Sequence, residues 1–199
     1  MKIGILAVQG AFAEHAAVLE RLDVPCKEIR QRGDLEEPLD GLILPGGEST
    51  VQGKLLRALG LFEPMREMIQ SGLPVLATCA GMILLAGEIE GQSTRHFATM
   101  PMTVRRNAYG RQLGSFHAEA EFANVGKIPM TFIRAPYVTR VGEGALTLAK
   151  VDGHVVAVRF KNQVALSFHP ELDGDLRLHR RFVSMCRERT AQAERQALR

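Results

Sequence analysis

Short apolar runs alternate with longer amphipathic segments through the first half of the chain. Four of these runs predict buried strands, at residues 2–8, 25–29, 41–44 and 74–77. Apolar side chains recur at helical spacing between them, at Phe12, Ala16 and Leu19 and again over residues 51–59 and 64–69. Alternation of strands and helices is typical of right-handed βαβ units, so the pattern predicts an α/β fold around a mainly parallel sheet.

The second half is richer in strands. Six candidates occur there, at residues 102–104, 115–122, 130–133, 145–151, 155–160 and 164–168. Asp152-Gly153 separates two of them and favours a tight hairpin turn. A last helix carries apolar positions on one face, at Leu176, His179, Phe182, Val183 and Cys186. We therefore expect a mixed sheet with an antiparallel section added late.

Composition narrows the class of protein. At 199 residues we expect one domain, residues 1–199, in which the polar stretch 187–199 forms a frayed helix end. The net charge of +3 is small and its basic residues are dispersed, which argues against nucleic-acid binding. The apolar runs are too short for a membrane span. Three widely spaced cysteines without a CxxC pair favour a reducing, cytoplasmic location without a zinc site or disulfide framework.

Polar clusters follow three of the predicted strands, at residues 46–49, 78–81 and 169–171. Ligands of open α/β sheets bind beyond the carboxyl ends of the strands, so these clusters are the candidate site. Cys79 stands between a strand and a helix, with small neighbours at Ala77, Ala80 and Gly81. This is the pattern of a nucleophile elbow, and a helix N-terminus would favour the reactive thiolate. A buried structural cysteine remains the alternative from the local pattern alone.

A thiolate nucleophile requires a proton carrier and an oxyanion site. His169 ends a strand and Glu171 follows two residues later, so the carboxylate can orient the imidazole. The other histidines lack that combination, and His179 on a helix face favours a structural role. The Gly46-Gly47 turn and the Ala80 amide can supply oxyanion donors, although without Cys79 and His169 an ordinary tight turn would be the better explanation of the glycines.

Several motifs carry a family resemblance. The blocks Pro45-Gly46-Gly47-Glu48-Ser49-Thr50, Thr78-Cys79-Ala80-Gly81 and Ser167-Phe168-His169-Pro170-Glu171 together resemble the class I, triad-type glutamine amidotransferases. Within that class, Val8-Gln9-Gly10-Ala11, the Arg-Arg-Asn block at residues 105–112 and Phe132-Ile133-Arg134-Ala135-Pro136 are similar to the glutaminase subunits of pyridoxal 5'-phosphate synthases.

The resemblance implies a flavodoxin-like three-layer sandwich without a cofactor or a metal. It implies a Cys79–His169–Glu171 triad that hydrolyses L-glutamine, with an oxyanion hole at Gly47 and Ala80. It further implies that the ammonia passes to a synthase subunit in a two-ring hetero-oligomer. The positions implied to bind glutamine are Gly47, Glu48, Ser49, Arg106, Ile133 and Arg134.

Physical chemistry supports some of these assignments. An arginine such as Arg106 or Arg134 suits the carboxylate of a free amino acid, and Glu48 suits its ammonium or orders the loop. For each arginine a surface salt bridge is the alternative. Residues 92–100 depart from the family pattern, which usually has a more apolar, glycine-containing segment there.

Three other functions stay open. One is a glutaminase that serves a different synthase, for example in histidine or purine synthesis; the blocks around Arg106 and Ile133 argue against it. A second is a cysteine hydrolase or peptidase of related fold that acts without a partner. A third is a regulatory binding module with an inactive site, which the presence of Cys79, His169 and Glu171 disfavours.

Overall fold

The computed structural model describes residues 1–108 and 114–197. Residues 109–112 of the predicted family motif and residues 198–199 of the predicted frayed end therefore lie outside the described residues. The last helix continues to Ala197, well into the polar stretch. Among the described residues, no helix combines the length and the hydropathy needed to cross a bilayer.

The described residues form twelve strands in one sheet. The strands are β1 (Ile3–Leu6), β2 (Cys26–Ile29), β3 (Gly41–Leu44), β4 (Val75–Thr78), β5 (Ala86–Ile89), β6 (Met100–Arg105), β7 (Ser115–Phe122), β8 (Gly126–Ile133), β9 (Tyr137–Val141), β10 (Leu146–Val151), β11 (His154–Phe160) and β12 (Gln163–Leu166). The helices are α1 (Phe12–Arg21), α2 (Ser49–Ala58), α3 (Phe62–Gln70), α4 (Ala80–Leu85) and α5 (Arg177–Ala197), with 3-10 turns at Arg32–Leu35 and Pro170–Leu172.

The sheet has a parallel part and an antiparallel part. The parallel part runs β2-β1-β3-β4-β12, and the antiparallel strands β11, β10, β7 and β8 continue from its β12 edge. The order of the parallel part is that of a flavodoxin-like sheet, in which the order of strand addition reverses between β1 and β3. The predicted α/β fold with a mixed sheet is confirmed.

Helices cover both faces of the parallel strands. Because successive strand residues point to opposite faces, Leu42 and Leu44 pack in one apolar cluster and Ile43 in the other. The first cluster also contains side chains of α2, α3 and α4, and the second contains side chains of α1 and α5. The fold is therefore a three-layer sandwich, with the carboxyl ends of its parallel strands left uncovered by helices at one edge.

Two strands were absent from the sequence prediction. β5 follows α4 without an intervening turn residue, so its apolar side chains continue the helical pattern. β9 lies between β6 and β11 as a short antiparallel connection. The predicted hairpin at Asp152-Gly153 is confirmed, since both residues have positive φ angles of 49° and 79° and β10 pairs with β11 across them.

Candidate active site

The chain segments that follow β1, β3, β4 and β12 surround one cavity of about 780 Å³. It lies at the carboxyl edge of the parallel strands, next to the reversal of strand order between β1 and β3. Its lining includes Gln9, Gly46, Gly47, Glu48, Ser49, Cys79, Ile83, Arg106, Ile133, Arg134 and His169. Ligand sites of such sheets form at this position, so the cavity is the candidate site.

Cys79 lies on the floor of the cavity, in the turn between β4 and α4. Its φ and ψ angles are 47° and −101°, a conformation that side-chain-bearing residues rarely adopt. A Cβ atom at Gly81 would overlap the carbonyl oxygen of Leu44, so the tight turn depends on that glycine. The backbone N–H of Cys79 donates to Leu166 O at 2.8 Å, which joins the turn to β12. The predicted strand–turn–helix elbow is therefore present.

His169 and Glu171 form a close pair beside Cys79. The distance between His169 Nδ1 and Glu171 Oε1 is 2.7 Å, and both side chains are buried. The sequence argument for this contact assumed extended backbone, but Pro170–Leu172 is a 3-10 turn that folds the carboxylate back under the ring. The backbone N–H of His169 donates to Thr131 O at 2.8 Å and fixes the strand end against β8.

The side chain of Cys79 lies close to His169. Within the described part of the chain, Nε2 has no hydrogen-bond partner at normal geometry, and the Cys79 thiol is close enough to change its proton affinity. Burial lowers the pKa of His169, but hydrogen bonding and negative charge from Cys79 and Glu171 outweigh burial and raise the pKa to about 10. The shift favours the protonated imidazole at neutral pH.

The glycine turn after β3 packs directly on this histidine. A Cβ atom at Gly46 would overlap the His169 ring, so only glycine fits there. The Gly46 N–H donates to Thr78 Oγ1 at 2.9 Å, and its carbonyl accepts from the Ala11 N–H at 2.9 Å. The sequence argument offered both glycine amides as oxyanion donors; the Gly46 amide is already engaged, which leaves Gly47. Ala80 begins α4, where N–H groups have no intrahelical partner.

An ion pair bridges the mouth of the cavity. Arg106 donates from Nη2 to Glu48 Oε1 at 2.7 Å and from Nη1 to Thr50 Oγ1 at 3.1 Å. The Glu48 N–H in turn donates to Gln9 Oε1 at 2.8 Å. The loops after β1, β3 and β6 are thereby connected around the opening. Arg106 and Glu48 both line the cavity, as predicted ligands should, but in this structure each is the partner of the other.

The remaining predicted binding residues also reach the cavity. Ser49 begins α2, and its buried hydroxyl has no hydrogen-bond partner among the described residues. The carbonyl oxygen of Ile133 lies 3.9 Å from Cys79 Sγ. Arg134 has a positive φ of 43° and lines the same wall. Their roles toward glutamine remain predictions.

Sequence reasoning missed the residues behind Glu171. His15 of α1 is fully buried, with Nε2 3.4 Å from Glu171 Oε2 and 3.2 Å from Thr78 Oγ1. Its Nδ1 lies 3.0 Å from Nε2 of His179 on α5, which is also fully buried. The signal available in the sequence was a pair of histidines on the buried faces of two helices. Nothing local in either helix indicates that the faces meet.

The atypical segment 92–100 packs against the helices α2 and α3. His96 packs against Gly53 of α2, where a Cβ atom would overlap its ring. Phe97 stacks on Phe62 with ring centroids 5.2 Å apart, and its carbonyl accepts from Arg66 at 3.1 Å. The segment therefore contributes to packing of α2 and α3, and none of its residues lines the cavity.

Solved structures share this architecture. A crystal structure of a glutamine amidotransferase matches with a TM-score of 0.88 and 43% sequence identity, over 92% of this chain and 98% of that chain. A putative GMP synthase protein from Thermoplasma acidophilum matches with a TM-score of 0.72 at 17% identity, over 98% of each chain, which is a likeness of fold alone. The fold is that of the glutamine amidotransferase class.

Sequence comparison narrows the class to a family. The model of the SNO glutamine amidotransferase family matches residues 5–188, and the chain belongs to that family. The chain is 62% identical over 183 residues to the pyridoxal 5'-phosphate synthase subunit PdxT of Desulfitobacterium hafniense, covering 92% of each protein. It is 58% identical over 193 residues to the PdxT subunit of Streptococcus pneumoniae, covering 96% of this chain and all of that protein. The resemblance inferred from the sequence motifs is confirmed.

Proposed function

We propose that this chain is the glutaminase subunit of a pyridoxal 5'-phosphate synthase, and that it hydrolyses L-glutamine to L-glutamate and ammonia through Cys79, His169 and Glu171. Membership of the SNO glutamine amidotransferase family and the identity to the PdxT subunits support the reaction and the pathway. The observation that carries the catalytic assignment is local. A cysteine in a strained elbow and a histidine of raised pKa line the same cavity, and the histidine contacts a buried carboxylate through its other ring nitrogen.

The first half of the reaction forms a thioester. The Cys79 thiolate attacks the side-chain amide carbon of glutamine, and the carbon–sulfur bond forms as the carbonyl oxygen takes up negative charge. The N–H groups of Gly47 and Ala80 donate to that oxyanion. The His169 imidazolium then gives the Nε2 proton to the departing nitrogen, so ammonia leaves and a glutamyl thioester remains on Cys79.

The second half regenerates the enzyme. His169, now neutral, takes a proton from water as the water oxygen attacks the thioester carbon. The carbon–sulfur bond breaks, glutamate leaves, and the thiolate–imidazolium pair is restored. Glu171 keeps its proton-free form throughout and stabilises the imidazolium by accepting from Nδ1.

The polar rim of the cavity supports recognition of a free amino acid. Arg106 and Arg134 are the available cations for the substrate α-carboxylate, and Glu48 is the available anion for its ammonium. A bound glutamine would replace part of the Arg106–Glu48 ion pair with its own two charges. Gly47, Ser49 and Ile133 complete the wall around the side-chain amide.

The proposed partner is a synthase subunit that receives the ammonia in a hetero-oligomer. The relatives at 62% and 58% identity are named as subunits of the synthase, which supports a partner of this kind. We place the reaction in the reducing cytoplasm, where the catalytic thiol is protected from oxidation. All three cysteines are unpaired, which fits that location.

The test is ammonia release from L-glutamine by the purified chain with and without its cognate synthase subunit. We expect hydrolysis that the synthase accelerates, that asparagine does not support, and that Cys79→Ala abolishes. Cys26→Ala is the matched control, since Cys26 is exposed and lies outside the cavity lining; it should keep full activity. Ammonia release by Cys79→Ala at the wild-type rate would exclude the proposed nucleophile, and activity indifferent to glutamine and to the synthase would favour an independent hydrolase.

A further inference from the structure

A buried line of polar side chains runs from the triad carboxylate into the layer formed by α1 and α5. Glu171 uses Oε1 for His169, and its second oxygen, Oε2, lies 3.4 Å from His15 Nε2. Oε2 has no hydrogen-bond partner of ordinary geometry among the described residues, and His15 Nε2 also lies 3.2 Å from Thr78 Oγ1. Beyond His15, Nε2 of His179 lies 3.0 Å from His15 Nδ1. His15 and His179 are both fully buried, and neither lines the cavity.

The direction of these hydrogen bonds follows from the charge on Glu171. If His15 carried its proton on Nδ1, Nε2 could accept from the Thr78 hydroxyl, but its lone pair would also face Glu171 Oε2, and no described donor would serve that buried oxygen, which is costly in an apolar interior. With the proton on Nε2, His15 donates toward Glu171 and Nδ1 accepts from the Nε2–H of His179. Among the described atoms of this line, the lone pair on His179 Nδ1 is then unmatched, and Glu171 Oε2 is served by the 3.4 Å contact from His15. This arrangement leaves no N–H of either histidine without an acceptor.

We propose that His15 is a positioning residue for the triad: its Nε2–H holds the second oxygen of Glu171, and His179 fixes the His15 tautomer that makes this possible. The inference rests on the proposed function in one respect only, the roles of Cys79, His169 and Glu171. His15 touches neither substrate nor sulfur. It acts through the carboxylate, whose orientation and ionisation set the proton affinity of His169.

The electrostatics of the layer agree with neutral, donating histidines. Burial lowers the pKa of His15, although Glu171 opposes this, and burial together with His15 lowers the pKa of His179 to about 3. The titratable groups facing His15 are Glu171 and His169 at the end of β12, His179 on α5 and Glu14 on its own helix. Burial disfavours the Glu171 carboxylate, but His15 and His169 outweigh it and hold its pKa below the ordinary value.

The experiment measures how fast iodoacetamide alkylates Cys79 in the full-length chain as a function of pH, followed by mass spectrometry of the Cys79 peptide. His15→Leu removes the donor and leaves Glu171 Oε2 unmatched, whereas His15→Gln carries an amide N–H to about the depth of the imidazole Nε2. Val18→Ala, a buried change on the same helix, controls for loss of stability. His179→Leu tests the tautomer by removing the donor to His15 Nδ1.

In His15→Leu we expect the pH midpoint of Cys79 alkylation to rise by about one unit. Without the His15 donor, the Glu171 carboxylate is held less firmly, so it stabilises the His169 imidazolium and the Cys79 thiolate less. The expected kcat for glutamine falls about tenfold with little change in KM. His15→Gln should restore most of both, and His179→Leu should shift the midpoint less, in the same direction. Val18→Ala should lower the melting temperature and leave the midpoint in place.

The opposite results overturn the proposal. They are an unchanged midpoint in His15→Leu, or equal shifts in His15→Leu and Val18→Ala, or a failure of His15→Gln to differ from His15→Leu at matched stability. The alkylation readout needs no glutamine, so it separates this inference from the proposed function. A wild-type chain that releases no ammonia with its synthase, but whose midpoint moves in His15→Leu, contradicts the proposed substrate and supports the role of His15.

Discussion

The two sides of the Glu171–His169 pair differ in what their polar atoms face: open space on one side and buried side chains on the other. On the cavity side, His169 Nε2 and the Ser49 hydroxyl have no hydrogen-bond partners among the described residues, and both border about 780 Å³ of open space. On the opposite side, His15 and His179 are fully buried within 3.0 to 3.4 Å of their neighbours, and the atoms without a partner of ordinary geometry, Glu171 Oε2 and His179 Nδ1, are enclosed by protein. This is the arrangement we expect if the cavity side binds a ligand and the buried side positions the carboxylate, as proposed.

This difference follows from what each side has to do. A group that transfers a proton must be free to bond with the substrate, so its partners cannot already be in place. A group that orients another must be rigid, and rigidity comes from burial with matched hydrogen bonds. Substitutions on the cavity side should therefore abolish the reaction. Substitutions on the buried side should slow it and shift its pH dependence.

The largest expected effect is on the cavity side. His169→Asn removes the group that we propose protonates the departing nitrogen and activates water, and it keeps a side chain that fits beside Gly46. We expect kcat for glutamine hydrolysis in the synthase complex to fall by about 10⁴-fold or more, with the fold intact. Ammonia release and a thermal melt measured on the same preparation check this. Activity within tenfold of wild type would remove His169 from the mechanism.

A smaller loss should follow from changing the carboxylate between the two sides. Glu171→Gln keeps the shape of the side chain but offers a neutral amide to His169 Nδ1 and to His15. We expect kcat to fall by roughly 10² to 10³-fold, less than in His169→Asn, because orientation and charge are lost while the base remains. Measuring both variants side by side gives the ranking. A larger loss in Glu171→Gln than in His169→Asn would contradict the assigned roles.

The buried side should also make stability depend on pH. The pKa of His179 is lowered to about 3 in the folded chain, so between pH 6.5 and 3 the unfolded chain binds the additional proton. Stability is therefore fully present above about pH 6.5 and is lost as pH falls. His179 alone should cost about 2 kcal/mol of unfolding free energy between pH 6.5 and 5.

Denaturant unfolding of the wild type and His179→Gln at both pH values isolates this contribution. Glutamine does not titrate and still offers an N–H to His15 Nδ1. The stability difference between pH 6.5 and 5 should be smaller in the variant by about the amount assigned to His179. Equal pH dependence in the two proteins would mean that the histidine is not held neutral by the fold.

The smallest effect should appear at the rim of the cavity. Arg106→Ala removes the proposed partner of the substrate carboxylate and the ion pair with Glu48, whose side chain is half exposed at 51%. We expect KM for glutamine to rise about tenfold with a smaller change in kcat. Surface ion pairs contribute roughly 0 to 1 kcal/mol, so the fold should be little affected. An unchanged KM would make Arg106 an ordinary surface salt bridge.

The parallel half of the fold could be predicted because each of its strands is a short buried run with a clear end. The run 41–44 coincides with β3, and the elbow at Cys79 follows from small residues between a strand and a helix. The strands that the sequence prediction missed are not such clearly bounded apolar runs. β5 begins at the residue after α4 ends, and β9 follows Pro136 within a segment that carries no alternation of apolar and polar positions.

The cavity side of the site could also be predicted, because its residues lie in contiguous motifs at strand ends. The buried side could not. His15 and His179 are 164 positions apart, and only the packing of α1 and α5 on the same face of the sheet brings them together. The engagement of the Gly46 amide by Thr78 was missed for the same reason, since it joins the ends of β3 and β4 across 32 positions.

The central claim is that Cys79 forms the covalent bond to glutamine with His169 as its proton carrier. A reactive glutamine analogue such as 6-diazo-5-oxo-L-norleucine, incubated with the synthase complex and followed by peptide mass spectrometry, tests it most directly. We predict one adduct, on the peptide that contains Cys79, with none on Cys26 or Cys186 and strongly slowed labelling in His169→Asn. An adduct on another residue, or turnover of glutamine by a chain whose Cys79 stays unlabelled, would contradict the claim.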